Sequence, residues 1–108
     1  VTERLCFGTA ERGAGVTLVR CRDSAVTACQ IIDPLVRGIE LEDCTRCQVM
    51  GNSIIDRRET PSMQQAIRVV GDSRQNLIQN NLISGAAGKP IDVVGRGAIE
   101  QHNVVLED

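Results

Sequence analysis

A chain of 108 residues with a net charge of −2 at pH 7 and both signs interspersed has no broad basic field for nucleic acid or an anionic membrane, so neither is expected as a partner. Trp and Tyr are absent and Phe7 is the single aromatic residue, which removes the ring platforms commonly used against sugar faces and bases. No run of 18 apolar residues marks a membrane span, and there is no signal-peptide pattern, which a trimmed chain would have lost.

In chain order, the first regular element is the short alternating strand Val16-Thr17-Leu18, and it recurs as Ile39-Glu40-Leu41, Ile67-Arg68-Val69 and Ile91-Asp92-Val93. Periods of about 20–50 residues mark solenoids. The first two copies stay in step well past the strand, with Cys21 on Cys44, Val26 on Val49, Ile31 on Ile54, Ile32 on Ile55 and Asp33 on Asp56. The second and third match at an offset of 28, which sets Val49 on Leu77, Asn52 on Asn80, Ile54 on Leu82 and Ile55 on Ile83. The extra residues fall in the segment Asp56 to Gln65, whose charges and proline signal a loop. Two residues are lost near Ser73 to Gln75 before the fourth copy, after which Leu77 matches Ile99, Asn80 matches His102 and Leu82 matches Val104.

Each period contains three runs too short for helices, separated by turn residues such as Gly51-Asn52-Ser53. Neither the leucine spacing of a leucine-rich repeat nor a strict six-residue period is present. The expected fold is therefore all-β, a right-handed parallel β-helix of four to five coils. The expected inward set is Val16, Leu18, Ile39, Leu41, Val49, Ile54, Ile67, Val69, Leu77, Leu82, Ile91, Val93 and Ile99. Cys29, Asn52, Asn80 and His102 form the expected corner column, in which stacked asparagine amides bond from coil to coil. Residues 1–14 read as a partial coil or cap and 15–108 as coils of one domain. Such a stack is about 20 Å tall at one strand step per coil, and its ends expose unpaired strands. The chain starts with valine and stops in mid-pattern at Val104-Val105-Leu106, as expected of a fragment whose ends pack against further coils or other subunits.

The segments Gly38 to Cys44 and Ala66 to Gly85 resemble the parallel β-helix repeats of pectate-lyase-like proteins, and the resemblance covers about residues 15 to 106. It implies the fold and, less specifically, a carbohydrate-active protein on a polysaccharide or oligosaccharide, since lyases, hydrolases, transferases and epimerases share the repeat. It also implies an extracellular or periplasmic location. The alternative is a non-catalytic structural or oligomerising rod, which the missing aromatics and few candidate acids favour. Fold alone does not name a reaction.

In that family the substrate groove runs along the outer face of one strand column, beside the loops after the third strand. By position, the groove would carry Glu40, Arg68 and Asp92, with the inserted loop overhanging it and Lys89 and Pro90 at its border. Arg57, Arg58, Arg68 and Glu40 would then bind substrate, while Asp56, Glu59 or Asp92 would serve as acid or base or hold calcium. No cofactor is otherwise implied, and no catalytic signature of a lyase or hydrolase is present. The alternating signs of Glu40, Arg68 and Asp92 equally describe a surface charge ladder.

His102 is the only histidine, and its place in the corner column accounts for it without catalysis. Cys44-Thr45-Arg46-Cys47 has the spacing of zinc and redox sites, but a lone pair is weak evidence and Cys21 falls on Cys44, so these read as buried column residues. Five cysteines, an odd number, suggest no disulfide framework. The glycines at 85, 88, 95 and 97 open no helix, which disfavours a phosphate loop.

Overall fold

The computed structural model describes residues 5–7 and 14–106, with side chains from 15 onward. Strand β1 (Leu5–Phe7) precedes a coil of β2 (Ala14–Val19), β3 (Ala25–Thr27) and β4 (Gln30–Ile32). The second coil is β5 (Arg37–Glu42), β6 (Gln48–Met50) and β7 (Ser53–Ile55), and the third is β8 (Gln65–Val70), β9 (Asn76–Gln79) and β10 (Leu82–Ser84). The fourth is β11 (Ile91–Val93), β12 (Ala98–Gln101) and β13 (Val104–Leu106). Equivalent strands stack into three parallel sheets: β2-β5-β8-β11, β3-β6-β9-β12 and β1-β4-β7-β10-β13. The described residues contain no helix. Of the segment expected to form a partial coil or cap, residues 1–4 and 8–13 lie outside the described residues, while β1 extends the third sheet beside β4.

The core is a set of self-stacking columns. Val16, Ile39, Ile67 and Ile91 pair in register and are buried, and Leu18, Leu41, Val69 and Val93 form the next inward column. Pleating sends alternate residues outward, so the β-branched set packs against its own copies one strand step away. In the second and third sheets the columns are Val26–Val49–Ile78 and Ile31–Ile54–Ile83.

Those last columns correct the expected register by one residue. Val49 pairs with Ile78 and Ile54 with Ile83, so Leu77 is half-buried and Leu82 faces solvent. Ile99 follows Leu77 outward and is 59% exposed, leaving Glu100 stacked on the inward Ile78 at the open end of the column. The third coil doubles its residue types at every diagnostic place, Leu77-Ile78, Asn80-Asn81 and Leu82-Ile83, so two registers match the pattern equally well. A one-residue slip turns each side chain to the opposite face. The additional residue sits in the turn between β8 and β9. There Gly71 (φ 72°) lies against Asp43 where a Cβ would collide, and Asp72 donates its N–H to Asp43 Oδ1 at 2.7 Å.

The asparagine ladder shifts accordingly. It runs through Asn52, Asn81 and Asn103, whereas Asn80 and His102 are the left-handed corner residues just before it, with φ of 56° and 54°. Asn81 Oδ1 accepts the N–H and the side-chain amide of Asn52, and Asn81 Nδ2 donates to Val49 O at 3.0 Å. Cys29 closes the column, donating its N–H to Asn52 Oδ1 at 2.9 Å. A second bracket stands at the preceding corner, where Asn76 accepts Cys47 N–H and donates to Cys44 O and Gly97 O.

Candidate functional site

The outer face of the first sheet carries the expected column in register, with Thr17 beside Glu40, Glu40 beside Arg68 and Arg68 beside Asp92. Arg37 and Gln65, paired across β5 and β8, extend the polar face. Glu40 is nearly buried, and its Oε2 lies 3.3 Å from Arg37 Nη1 and 3.8 Å from Arg68 Nη1. One carboxylate thus serves two guanidinium groups. The Nε atoms of both arginines and Oε1 of Gln65 are shielded from solvent and have no hydrogen-bond partner among the described residues. Arg37 and Gln65 were not legible as site residues because the outward pattern of β5 and β8 suggested only positions 40 and 68. The spacing of Arg37 and Glu40 by three residues is the one signal that could have suggested their pairing.

The inserted loop, residues 56–64, connects β7 to β8 where only 33–36 connect β4 to β5. It is organised around Asp56. The carboxylate accepts the Arg58 N–H and Nε on Oδ1, and Arg58 Nη2, Ser62 N–H and Met63 N–H on Oδ2, at 2.8 to 3.1 Å. Burial alone would push its pKa up, but the bonds from the Arg58 side chain and from the backbone of Met63, Arg58 and Ser62 outweigh it and hold the pKa at about 2. Arg58 Nη2 also bonds Pro34 O, Ser62 Oγ donates to Leu35 O at 2.7 Å, and Ala87 N donates to Met63 O at 2.7 Å. Met63 enters the core completely. The loop is therefore fastened to the shorter loops of the coils on either side.

Arg57 is exposed and forks onto Asp33 through its N–H at 2.7 Å and Nη2 at 2.9 Å, which lowers the Asp33 pKa. Glu59 is exposed. No hydrogen bond or ion pair among the described residues joins a loop side chain to Glu40, Arg68 or Asp92. The structure thus brings Arg68, Glu40 and Asp92 together on one face and gathers Asp56, Arg57 and Arg58 in a separate, internally bonded loop. Lys89 is exposed, and Pro90 O accepts the N–H groups of Ala66 and Ile67 at the edge of β8.

Of the carboxylates suggested for calcium, Asp56 has both oxygens taken by N–H donors. No group of three or more His, Cys, Asp or Glu side chains is arranged for a metal among the described residues. Cys44 and Cys47 are buried free thiols whose Sγ atoms donate to Leu18 O and Cys21 O of the coil below, and burial pushes the Cys44 pKa up. That is the environment of inert column residues, not of a reactive thiolate.

No curated protein and no solved structure matches the chain. The model of the right-handed β-helix region matches residues 3–106, in agreement with the three parallel sheets and their stacked corners, and the chain belongs to that family.

Proposed function

We propose that this segment is the saccharide-binding part of a carbohydrate-active β-helix protein, with the ligand lying along the outer face of β5, β8 and β11. The observation that carries this reading is the shared carboxylate of Glu40. Arg37 and Arg68 divide it at 3.3 and 3.8 Å, and neither side chain makes a hydrogen bond of ordinary geometry to a described residue. Elsewhere Arg46, Arg57 and Arg58 each hydrogen-bond a carboxylate. Guanidinium groups with unused donors on a flat strand face suit sugar hydroxyls or a sugar carboxylate.

The arrangement favours binding over cleavage by the loop carboxylate. Asp56, ionised down to pH of about 2 and buried, would not donate a proton near neutrality, and Glu40 is clamped between cations. Asp92, one strand step from Arg68, and the exposed Glu59 are the two carboxylates that could serve as acid or base. Arg57 contributes from the rim and Arg58 acts by holding the loop.

The structural-rod reading has its own support: Arg46–Asp23 and Arg57–Asp33 bridge consecutive coils, as a stabilised rod requires. Calorimetric titration against acidic and neutral oligosaccharides separates the two. Binding that falls about tenfold in Arg37→Gln/Arg68→Gln, while the variant remains folded at the assay temperature, supports the groove. Absence of binding to every saccharide supports the rod.

A further inference from the structure

A different corner of the molecule carries a cluster of cations that the strand face does not involve. The turns joining the first sheet to the second stack Arg22 on Thr45 and Thr45 on Arg74 through isolated parallel bridges. Asp23, Arg46 and Gln75 follow as the left-handed residues of the same turns, with φ of 51°, 53° and 57°. Threonine is far shorter than the arginines above and below it, so the middle coil is recessed. The result is an open cleft of about 390 Å³ lined by Arg22, Thr45, Arg46, Asp72, Arg74 and Gln75.

Three guanidinium groups stand against two carboxylates there, Asp72 in the lining and Asp23 beside Arg46, on a chain whose net charge is −2. Their states differ in a useful way. Arg46 is held by Asp23 through Nε at 2.8 Å and Nη2 at 3.2 Å, which orients the group and leaves Nη1 without a partner. Arg74 meets a single oxygen of Asp72 at 3.3 Å from both Nε and Nη2. Arg22 forms no ion pair with a described residue. Arg22 and Arg74 stand two strand steps apart, about 10 Å along the axis, with Thr45 between them in the lining. Several guanidinium groups lining one polar cleft match a compact group presenting several oxygens, better than they match a planar apolar ligand.

We infer that this corner is a binding site for a tetrahedral oxyanion, a sulfate or phosphate group, taken either as the free ion or as an ester on a saccharide. Arg22 and Arg74 clasp the group from the outer coils, Arg46 supplies a fixed donor, and Thr45 caps it from below. The site lies apart from the Glu40 face and stands whether or not that face binds sugar.

Arginine Nε–Hε resonances can be followed during titration with sodium sulfate and with sodium phosphate, with sodium chloride at matched ionic strength as control. Saturable shifts at Arg22, Arg46 and Arg74 with either oxyanion, and none with chloride, are expected. In Arg22→Gln/Arg74→Gln, both exposed positions, the apparent dissociation constant should rise about tenfold while the dispersion of the amide spectrum is retained. A sulfated oligosaccharide and its unsulfated counterpart then identify the source. Tighter binding of the sulfated chain than of inorganic sulfate assigns an ester, and equal affinity assigns the free ion. Equal shifts with chloride, an unchanged constant in the double variant, or equal shifts at these three arginines with the unsulfated chain would each overturn the site.

Discussion

Asn81 Oδ1 accepts two hydrogen bonds from Asn52, one from its backbone N–H and one from its side-chain amide, each 3.0 Å long. Through that one oxygen the corner of the third coil satisfies both the backbone and the side chain of the coil below it. Asn103 does the same for Asn81, at 3.1 and 2.9 Å.

The ladder makes a sharp mutational contrast. Asn81→Leu leaves buried donors on Asn52 without partners and removes the side-chain bond to the Val49 carbonyl, and should lower stability by about 1–3 kcal/mol. Asn80→Gly, one residue earlier, keeps the left-handed backbone and loses no ladder bond, so it should stay within about 0.5 kcal/mol. Urea denaturation midpoints of the two variants test this, and equal losses would contradict the observed register.

Acid should loosen the inserted loop. The folded pKa of Asp56 is about 2 against an ordinary 3.8, so the carboxylate contributes stability that is complete above pH of about 4 and lost as pH falls toward about 2. At about 1.36 kcal/mol per pKa unit the contribution is about 2 kcal/mol. Asp33 and Asp23, lowered by Arg57 and Arg46, act in the same direction. Stability measured from pH 5 to 2 should fall less steeply in Asp56→Asn than in the parent chain, and identical slopes would remove Asp56 from the acid response.

The two loop arginines should separate. Arg57 is 63% exposed on its ion pair with Asp33, and Arg57→Ala should change stability by about 0–1 kcal/mol. Arg58 donates to a fully buried carboxylate and to Pro34 O, so Arg58→Ala should cost about 1–3 kcal/mol by leaving Asp56 short of donors. Thermal unfolding of the single variants measures the difference. Removal at little cost to folding is therefore expected only of Arg57.

Thiol chemistry should follow burial. Cys29, Cys44 and Cys47 are buried and Cys21 is half-exposed, so a thiol reagent should label Cys21 well before those three in the folded chain. In denaturant without reductant all four should react. Fast labelling of Cys44 in the native state would contradict its column position.

The columns of the first sheet and the coil architecture were legible in the residues, because a period-2 strand repeated at nearly constant spacing admits one way of burying its apolar face. Val16, Ile39, Ile67 and Ile91 stand where the alternation put them, and Thr17, Glu40, Arg68 and Asp92 face outward together. The corner of the third coil was not legible. Leu77-Ile78, Asn80-Asn81 and Leu82-Ile83 satisfy two registers alike, and the choice rests on the turn at Gly71 and Asp72, whose hydrogen bonds to Asp43 exist only once the coils are stacked. The loop at 56–64 was legible as an insertion rich in charge. Only packing decided that Asp56 turns inward beneath five N–H donors while Arg57 stays outside, and that Arg37 joins Arg68 around Glu40. Side-chain partnership across coils depends on strand register and burial, which local residue order does not specify.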